Sequence, residues 1–523
     1  MSSNFNYQYI SKAKAKLKLA KRITALLFFH FFYLAAIAQK TTAFKKPNII
    51  IILSDDLGYS DIGSFGSEIP TPNLDKLANS GLRFAQFYNH ARCCPTRASL
   101  LTGLDNHQVG IGSMVDDSKE DLENRGLYGY SGKMNFDCVT LAEVLKTAGY
   151  HTYMTGKWHL GAQTPAYYPT SRGFEKYYGF HGGGANYFRP KSIFLNNTEV
   201  KINTPDYYTT NAFTDYAIKF MQEQKDDKPF FLYLAYNAAH LPLLAKEEDK
   251  EKVKGLYDKG WDVVRNNRFE KVKQLGLVPK DLKLSTEAMT SWAELPKEKQ
   301  LDEISKMTTY AAMIYNMDKN IGRVVSYLKT SGKLNNTLII YLSDNGATFH
   351  TQFWNMCNAP FTGHKRETFE GGIASNSIIS WPKVITSQRG KITQSPADMI
   401  DIMPTLLQIS GAIYPTKFNN HKIHPLEGHS LVPVFKEGSR EEPKWFFWEH
   451  DENYGVKNLN WKAVKPSNSK NWILYNIRVD RGETKDLAAT YPDQLARLKA
   501  QWHKWASSHH VFPQGKSLNN NKD

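Results

Sequence analysis

Two pairs of neighbouring polar residues, Asp55-Asp56 and Asp344-Asn345, each follow closely on a short apolar run, residues 49–53 and 338–342. Adjacent carboxylates repel by about 4 kcal/mol at 4 Å and an effective dielectric near 20, and a divalent cation between them removes that repulsion. All four side chains offer oxygen, which selects a hard ion, Ca²⁺ or Mg²⁺, over zinc. A lone Asp-Asp pair is ordinarily a solvated turn or a helix cap. Two pairs, each behind an apolar run, are more than that reading explains. Lys157 and His159 follow a third run, 151–154, and His240 follows a fourth, 230–235. In open α/β sheets ligands bind beyond the carboxyl ends of the strands, so these residues are expected to converge.

The most specific segment is Cys93-Cys94-Pro95-Thr96-Arg97-Ala98-Ser99-Leu100-Leu101-Thr102-Gly103. Pro95 suits the first turn of a helix, which places Cys93 at the positive end, where free backbone amides stabilise an anion. Two buried small hydrophobes would be the ordinary reading of such cysteines, but it leaves Pro95 and Arg97 without a role. A thiolate beside a hard, oxygen-ligated cation is chemically mismatched.

The Cys-x-Pro-x-Arg core followed by Leu-Leu-Thr-Gly resembles the signature of the type I, formylglycine-dependent sulfatases of the alkaline phosphatase superfamily. The resemblance implies that a dedicated maturase oxidises Cys93 to formylglycine, that the hydrated aldehyde is the nucleophile, and that Cys94 is the variable position. It implies metal ligation by Asp55, Asp56, Asp344, Asn345 and the oxidised residue 93. Thr155-Gly156-Lys157-Trp158-His159-Leu160-Gly161 is similar to the segment whose lysine and histidine contact the nucleophile. His240, in Ala238-Ala239-His240-Leu241-Pro242, matches the histidine on the sulfate and leaving-group side. Lys365, upstream of Glu370-Gly371-Gly372, matches the second sulfate-binding lysine. The implied catalytic set is Cys93, Arg97, Lys157, His159, His240 and Lys365, with Lys157, His240 and Lys365 also binding substrate. One departure is visible: Ala374-Ser375-Asn376 stands where the family usually has a proline near Asn376. Residues 173–184, the segment Tyr257-Asp258-Lys259-Gly260-Trp261-Asp262 and Trp448-Glu449-His450 resemble bacterial arylsulfatases.

A divalent metal with Arg97, Lys157 and Lys365 supplies five positive charges against three from Asp55, Asp56 and Asp344. The surplus suits a singly charged sulfate ester plus an ionised nucleophile. In the implied mechanism Asp344 accepts a proton from the hydrate and the alkoxide attacks sulfur in line. His240, with Lys365, protonates the departing alcohol, and His159 takes the second hydroxyl proton as the aldehyde re-forms.

These residues need a scaffold that brings strand ends together. Apolar runs at 49–53, 230–235, 338–342 and 378–381 alternate with amphipathic stretches at 73–81, 140–149, 215–223, 309–329 and 397–411. That alternation predicts an α/β fold, a large, mostly parallel sheet sandwiched by helices, and the resemblance implies its alkaline phosphatase-like form. A charged helical insertion, about 246–306, interrupts it, with a solvated face expected. Past residue 436 short strand-like pieces at 444–448, 461–464 and 472–477 precede a helix at 492–507. The expected division is a signal peptide at 1–38, a catalytic domain at 39–436, a small α+β C-terminal subdomain at 437–514 and a polar tail at 515–523.

The chain has 523 residues and a net charge of +15, six of the positive charges lying in 12–22 ahead of the apolar run 23–38. This reads as a secretory leader and predicts a periplasmic or extracellular protein. The run is shorter than the ~20 residues that span a bilayer, so no stable membrane span is expected. Four cysteines are too few for a disulfide-built scaffold. The remaining positive charge suits an acidic ligand, but without interleaved basic and aromatic residues it does not indicate nucleic acid. The expected partners are a sulfated small molecule or glycan and the maturase. Two other readings stand beside this one: a phosphodiesterase or phosphonate monoester hydrolase on the same scaffold, and a catalytically inactive secreted glycan-binding protein.

Overall fold

The computed structural model of the protein describes residues 46–115, 126–285 and 290–511. The expected leader at 1–38 and tail at 515–523 lie outside them. A ten-stranded sheet forms the centre. Five parallel strands make its middle, in the order Thr337–Ser343, Asn48–Ser54, Phe230–Ala235, His151–Lys157, Lys176–Phe180. Antiparallel strands extend both sides: Ser377–Ser380 beside Thr337–Ser343, and Ile193–Leu195 beside Lys176–Phe180. The sheet is therefore mixed at its margins and parallel where the site residues emerge.

The apolar runs are buried on both faces, and alternate residues feed two cores. Ile50, Ile52, Leu232, Leu234, Ile339 and Tyr341 join one, with helices Pro72–Ser80, Thr209–Glu223 and Lys297–Thr330. Ile49, Ile51, Leu53, Tyr233, Ile340 and Leu342 join the other, with helices Cys93–Thr102, Leu141–Thr147 and Ile402–Ser410. The sandwich expected from the alternation is thus present. No helix among the described residues is long and apolar enough to cross a membrane.

Three expectations need correction. The third strand runs to Lys157 rather than ending at 154. The stretch 397–411 is not one helix. Ala397–Asp398 pairs with Phe87–Tyr88, and the α-helix starts only at Ile402, after side chains of Asp398 and Asp401 cap the preceding turn. The charged insertion is not simply a solvated face, because Trp261, Arg268 and Val272 are buried. Arg268 reaches Asp61 at 2.6 Å and Glu68 at 2.8 Å, and Tyr310 donates to Asp61 at 2.7 Å and to the Asp56 carbonyl at 3.1 Å. Arg268 of the insertion and Tyr310 just beyond it thereby brace the loop that carries Asp55 and Asp56.

Past the large sheet, strands Phe446–His450, Asn453–Lys457, Lys462–Lys465 and Ile473–Tyr475 form an antiparallel sheet. Helix Pro492–Ser508 covers it through Leu498 and Trp502. Glu370 joins this sheet to the main body: Lys462 lies 3.1 Å and Arg481 2.6 Å from its carboxylate, all buried.

Candidate active site

The parallel strands end in step. Ser54 pairs with Ser343, Leu53 with Ala235, and Ala235 with Gly156. The residues that follow are therefore neighbours: Asp55 and Asp56, Asp344 and Asn345, Lys157 and His159, and His240 beyond Tyr236. The close approach of two strands depends on Gly156, where an added Cβ would lie 1.8 Å from the Ala235 carbonyl oxygen at a φ of +105°. Backbone bonds lock the loops together, with Asp55 N donating to Ala238 O at 2.9 Å and Ala239 N to Asp55 O at 2.7 Å.

Cys93 is the first residue of helix Cys93–Thr102 and is buried. Burial alone would raise its thiol, but Lys157, Lys365 and His159 beside it hold it well below the usual range. Position 93 thus stabilises an anion. Cys94 turns away, its sulfur 3.7 Å from Ser113 O and 3.4 Å from Met114 Sδ. All four cysteines are buried and none forms a disulfide.

The candidate metal-ligating and charged catalytic side chains meet in this cluster. Lys157 Nζ lies 2.7 Å from Asp55 Oδ2, and Lys365 Nζ 2.6 Å from Asp56 Oδ1. Arg97 donates to Asp344 Oδ2 at 2.7 and 3.1 Å and to the Lys157 carbonyl at 3.1 Å, with Asp55 Oδ2 3.6 Å away. Asn345 Nδ2 donates to Asp56 Oδ1 at 2.7 Å. His240 Nε2 lies 3.8 Å from Asp56 Oδ2.

Desolvation opposes the charge on Asp55 and Asp56. Lys157 at the first and Lys365 at the second, helped by His240, nevertheless hold both below the usual carboxylate range. Asp344 goes the other way: burial first, then Asp55, push it well up despite Arg97. Buried charge in such density is costly unless compensated.

Two buried oxygens of the cluster, Asp55 Oδ1 and Asn345 Oδ1, have no hydrogen-bond donor among the described residues. Ligating atoms of Asp55, Asp56 and His240 lie within 4.8 Å of one another. Orphaned buried acceptors beside carboxylates fit a hard divalent cation. Among these side chains His240 is the most exposed, at 24 %. The cluster therefore opens on the His240 side.

The structure adds residues that the sequence did not single out. The tip of hairpin Phe446–His450/Asn453–Lys457 carries Asp451, 3.0 Å from Arg92 and 2.7 Å from Arg366. These arginines directly precede Cys93 and follow Lys365. Asp451 and Glu452 both adopt positive φ, 48° and 63°, the geometry of a tight two-residue hairpin turn. Turns of that kind usually show Asn-Gly or Asp-Gly, so Asp-Glu hid this one. Asn376, at the family departure, donates to Gly58 O at 2.8 Å and so fastens the loop behind Asp56.

The sulfatase family model matches residues 47–412. An uncharacterised sulfatase of Schizosaccharomyces pombe is 33% identical over 89% of this chain and 94% of its own length. An arylsulfatase of Klebsiella aerogenes is 35% identical over 75% of this chain and 92% of its own. The solved structure of Ps i-CgsB with k-i-k-neocarrahexaose is 29% identical, with a TM-score of 0.69 covering 90% of this chain and 94% of that one. With a family model matched over most of its length and a relative one-third identical across nearly all of it, the chain belongs to the sulfatase family.

Proposed function

We propose that the protein hydrolyses the sulfate ester of an aryl or saccharide alcohol, with residue 93 acting in its hydrated formylglycine form. The observation that carries this is the convergence of Lys157, Lys365 and His159 on position 93, at a helix start and beside an oxygen-rich carboxylate cluster. Asp55, Asp56, Asp344, Asn345 and the oxygen of residue 93 would hold a divalent cation, Ca²⁺ before Mg²⁺, which would supply Lewis acidity when bound.

Asp344, held by two hydrogen bonds from Arg97, is placed to accept the hydroxyl proton as the oxygen attacks sulfur. Lys157 and Lys365 hold the sulfuryl oxygens, and Arg97 keeps Asp344 and the Lys157 backbone in place. His240, on the open side, gives a proton to the departing alcohol oxygen as its bond to sulfur breaks. His159 takes the remaining hydroxyl proton, the carbon–oxygen bond to the sulfate breaks, and sulfate leaves as the aldehyde re-forms. Water then restores the hydrate. The partners of this reading are a sulfated small molecule or glycan and the maturase that oxidises Cys93, and the leader at 1–38 sends the protein to the periplasm or beyond.

Parallel rates on 4-nitrophenyl sulfate and a 4-nitrophenyl phosphodiester test the assignment. A faster sulfate reaction is expected. A phosphodiester preference contradicts the proposal, and so does absence of turnover on any sulfate ester in a preparation carrying formylglycine.

A further inference from the structure

A cavity of about 750 Å³ adjoins the open side of the cluster. Gly184, Leu241 and Pro242 line it, and an added Cβ at Gly184 would lie 3.4 Å from the His240 ring, so the cavity begins where the leaving alcohol is protonated. One wall is aromatic: His181 packs against Tyr168 and Phe194, with ring centroids 4.2 Å apart in each case. Tyr168 and Phe194 are each half-buried, leaving ring surface of the kind on which sugar rings stack.

Arg189 and Lys191 complete the lining. Both are exposed, and neither makes an ion pair among the described residues. Their loop is nonetheless fixed. Asn186 Oδ1 accepts from Phe188 N at 3.0 Å and from Arg189 N at 2.9 Å, and the buried Tyr187 hydroxyl lies against two backbone carbonyls, Asn237 O at 2.5 Å and His240 O at 2.9 Å. The loop holding the two cations is thus fastened to the backbone turn, Asn237 to His240, that ends in the leaving-group histidine.

An uncharged alcohol has no use for two such cations. We infer that this cavity takes the leaving-group saccharide and that Arg189 and Lys191 bind a second anionic group on it, a sulfate or a carboxylate. The inference rests on the sulfate ester reading above and names its substrate class: a saccharide with at least one negative charge besides the sulfate that is cut. Exposed charge pairs act over about 10 Å at 0.1 M salt, so the preference should weaken as salt rises.

The test compares kcat/KM on three substrates: a disaccharide with one sulfate, the same disaccharide with a second sulfate, and its counterpart with one sulfate and a uronate carboxylate. The wild type is expected to prefer one or both doubly anionic forms, and which one identifies the anion. In Arg189→Gln/Lys191→Gln the ratio of doubly to singly anionic kcat/KM should fall about tenfold, a change of about 1.4 kcal/mol. The ratio is internal to each preparation, so a partly misfolded variant does not mimic the effect. A wild type without preference, or a variant with an unchanged ratio, overturns the inference. Absence of turnover on all three substrates and on 4-nitrophenyl sulfate, with formylglycine present, overturns instead the reading beneath it.

Discussion

Asp451 Oδ2 lies 3.0 Å from Arg92 Nη1, and so a hairpin of the C-terminal sheet reaches the residue directly before position 93. The same oxygen lies 2.7 Å from Arg366, directly after Lys365. One carboxylate therefore sets the spacing of the nucleophile position and the second lysine without touching either. Asp451→Asn should lower kcat about tenfold, equivalent to roughly 1.4 kcal/mol of transition-state stabilisation, with partial rescue by Asp451→Glu. Despite burial, His450 and the two arginines hold the Asp451 carboxyl well below its usual range, so the loss should be constant from about pH 5 to 9. A kcat like that of the wild type in steady-state kinetics would falsify this positioning role.

Chelation tests the oxygen cluster. Treatment with EDTA should abolish turnover of 4-nitrophenyl sulfate, and Ca²⁺ or Mg²⁺ should restore it. A cation at about 100 times its dissociation constant adds about 2.7 kcal/mol of stability, visible as a raised Tm. Asp55→Asn and Asp344→Ala should lose both responses while staying folded. A full rate in chelator contradicts the metal assignment.

The glycine run at the mouth of the site makes a narrower prediction. An added Cβ at Gly183 would lie 2.7 Å from the His159 ring, so the ring must move in Gly183→Ala. Because His159 is assigned a role after sulfuryl transfer, the variant should build up sulfated enzyme. Intact-protein mass spectrometry during turnover would detect it, and an undetectable intermediate together with a normal kcat argues against that role.

The chemistry was more legible in the sequence than the contacts that support it. Asp55, Asp56, Asp344 and Asn345 could be read because each pair directly follows a strand, or the last residue of one, and parallel strands deliver their ends to one place. Cys93 and Arg97 were legible from a local signature. Asp451 was not, because its role depends on a turn without glycine that meets Arg366 across 85 residues and Arg92 across 359. The C-terminal strand Asn453–Lys457 was missed for a related reason: Asp451-Glu452 gave no sign of a hairpin. The insertion was misjudged because Arg268 reads as a surface charge until Asp61 and Glu68 are seen to face it.

Outside the site, buried His107 lies between Asp105, at 2.9 Å, and Glu449, at 2.8 Å. Burial lowers its pKa, but the two carboxylates outweigh this and push it up to about 9, from 6.5. Between these values the folded chain keeps a proton that the unfolded chain releases, so this contribution is full below pH 6.5 and is lost as pH rises through 9. The expected slope is about 1.4 kcal/mol per pH unit. Denaturant titrations across that range should show it in the wild type and not in His107→Gln. Equal slopes in both would remove His107 as the cause.

The central claim is that position 93 works through oxygen although it is encoded as sulfur. Mass spectrometry of the peptide containing residue 93, taken from a catalytically active preparation, tests it most directly. The aldehyde or its hydrate is the predicted result. A free thiol at that position in fully active protein would contradict the account.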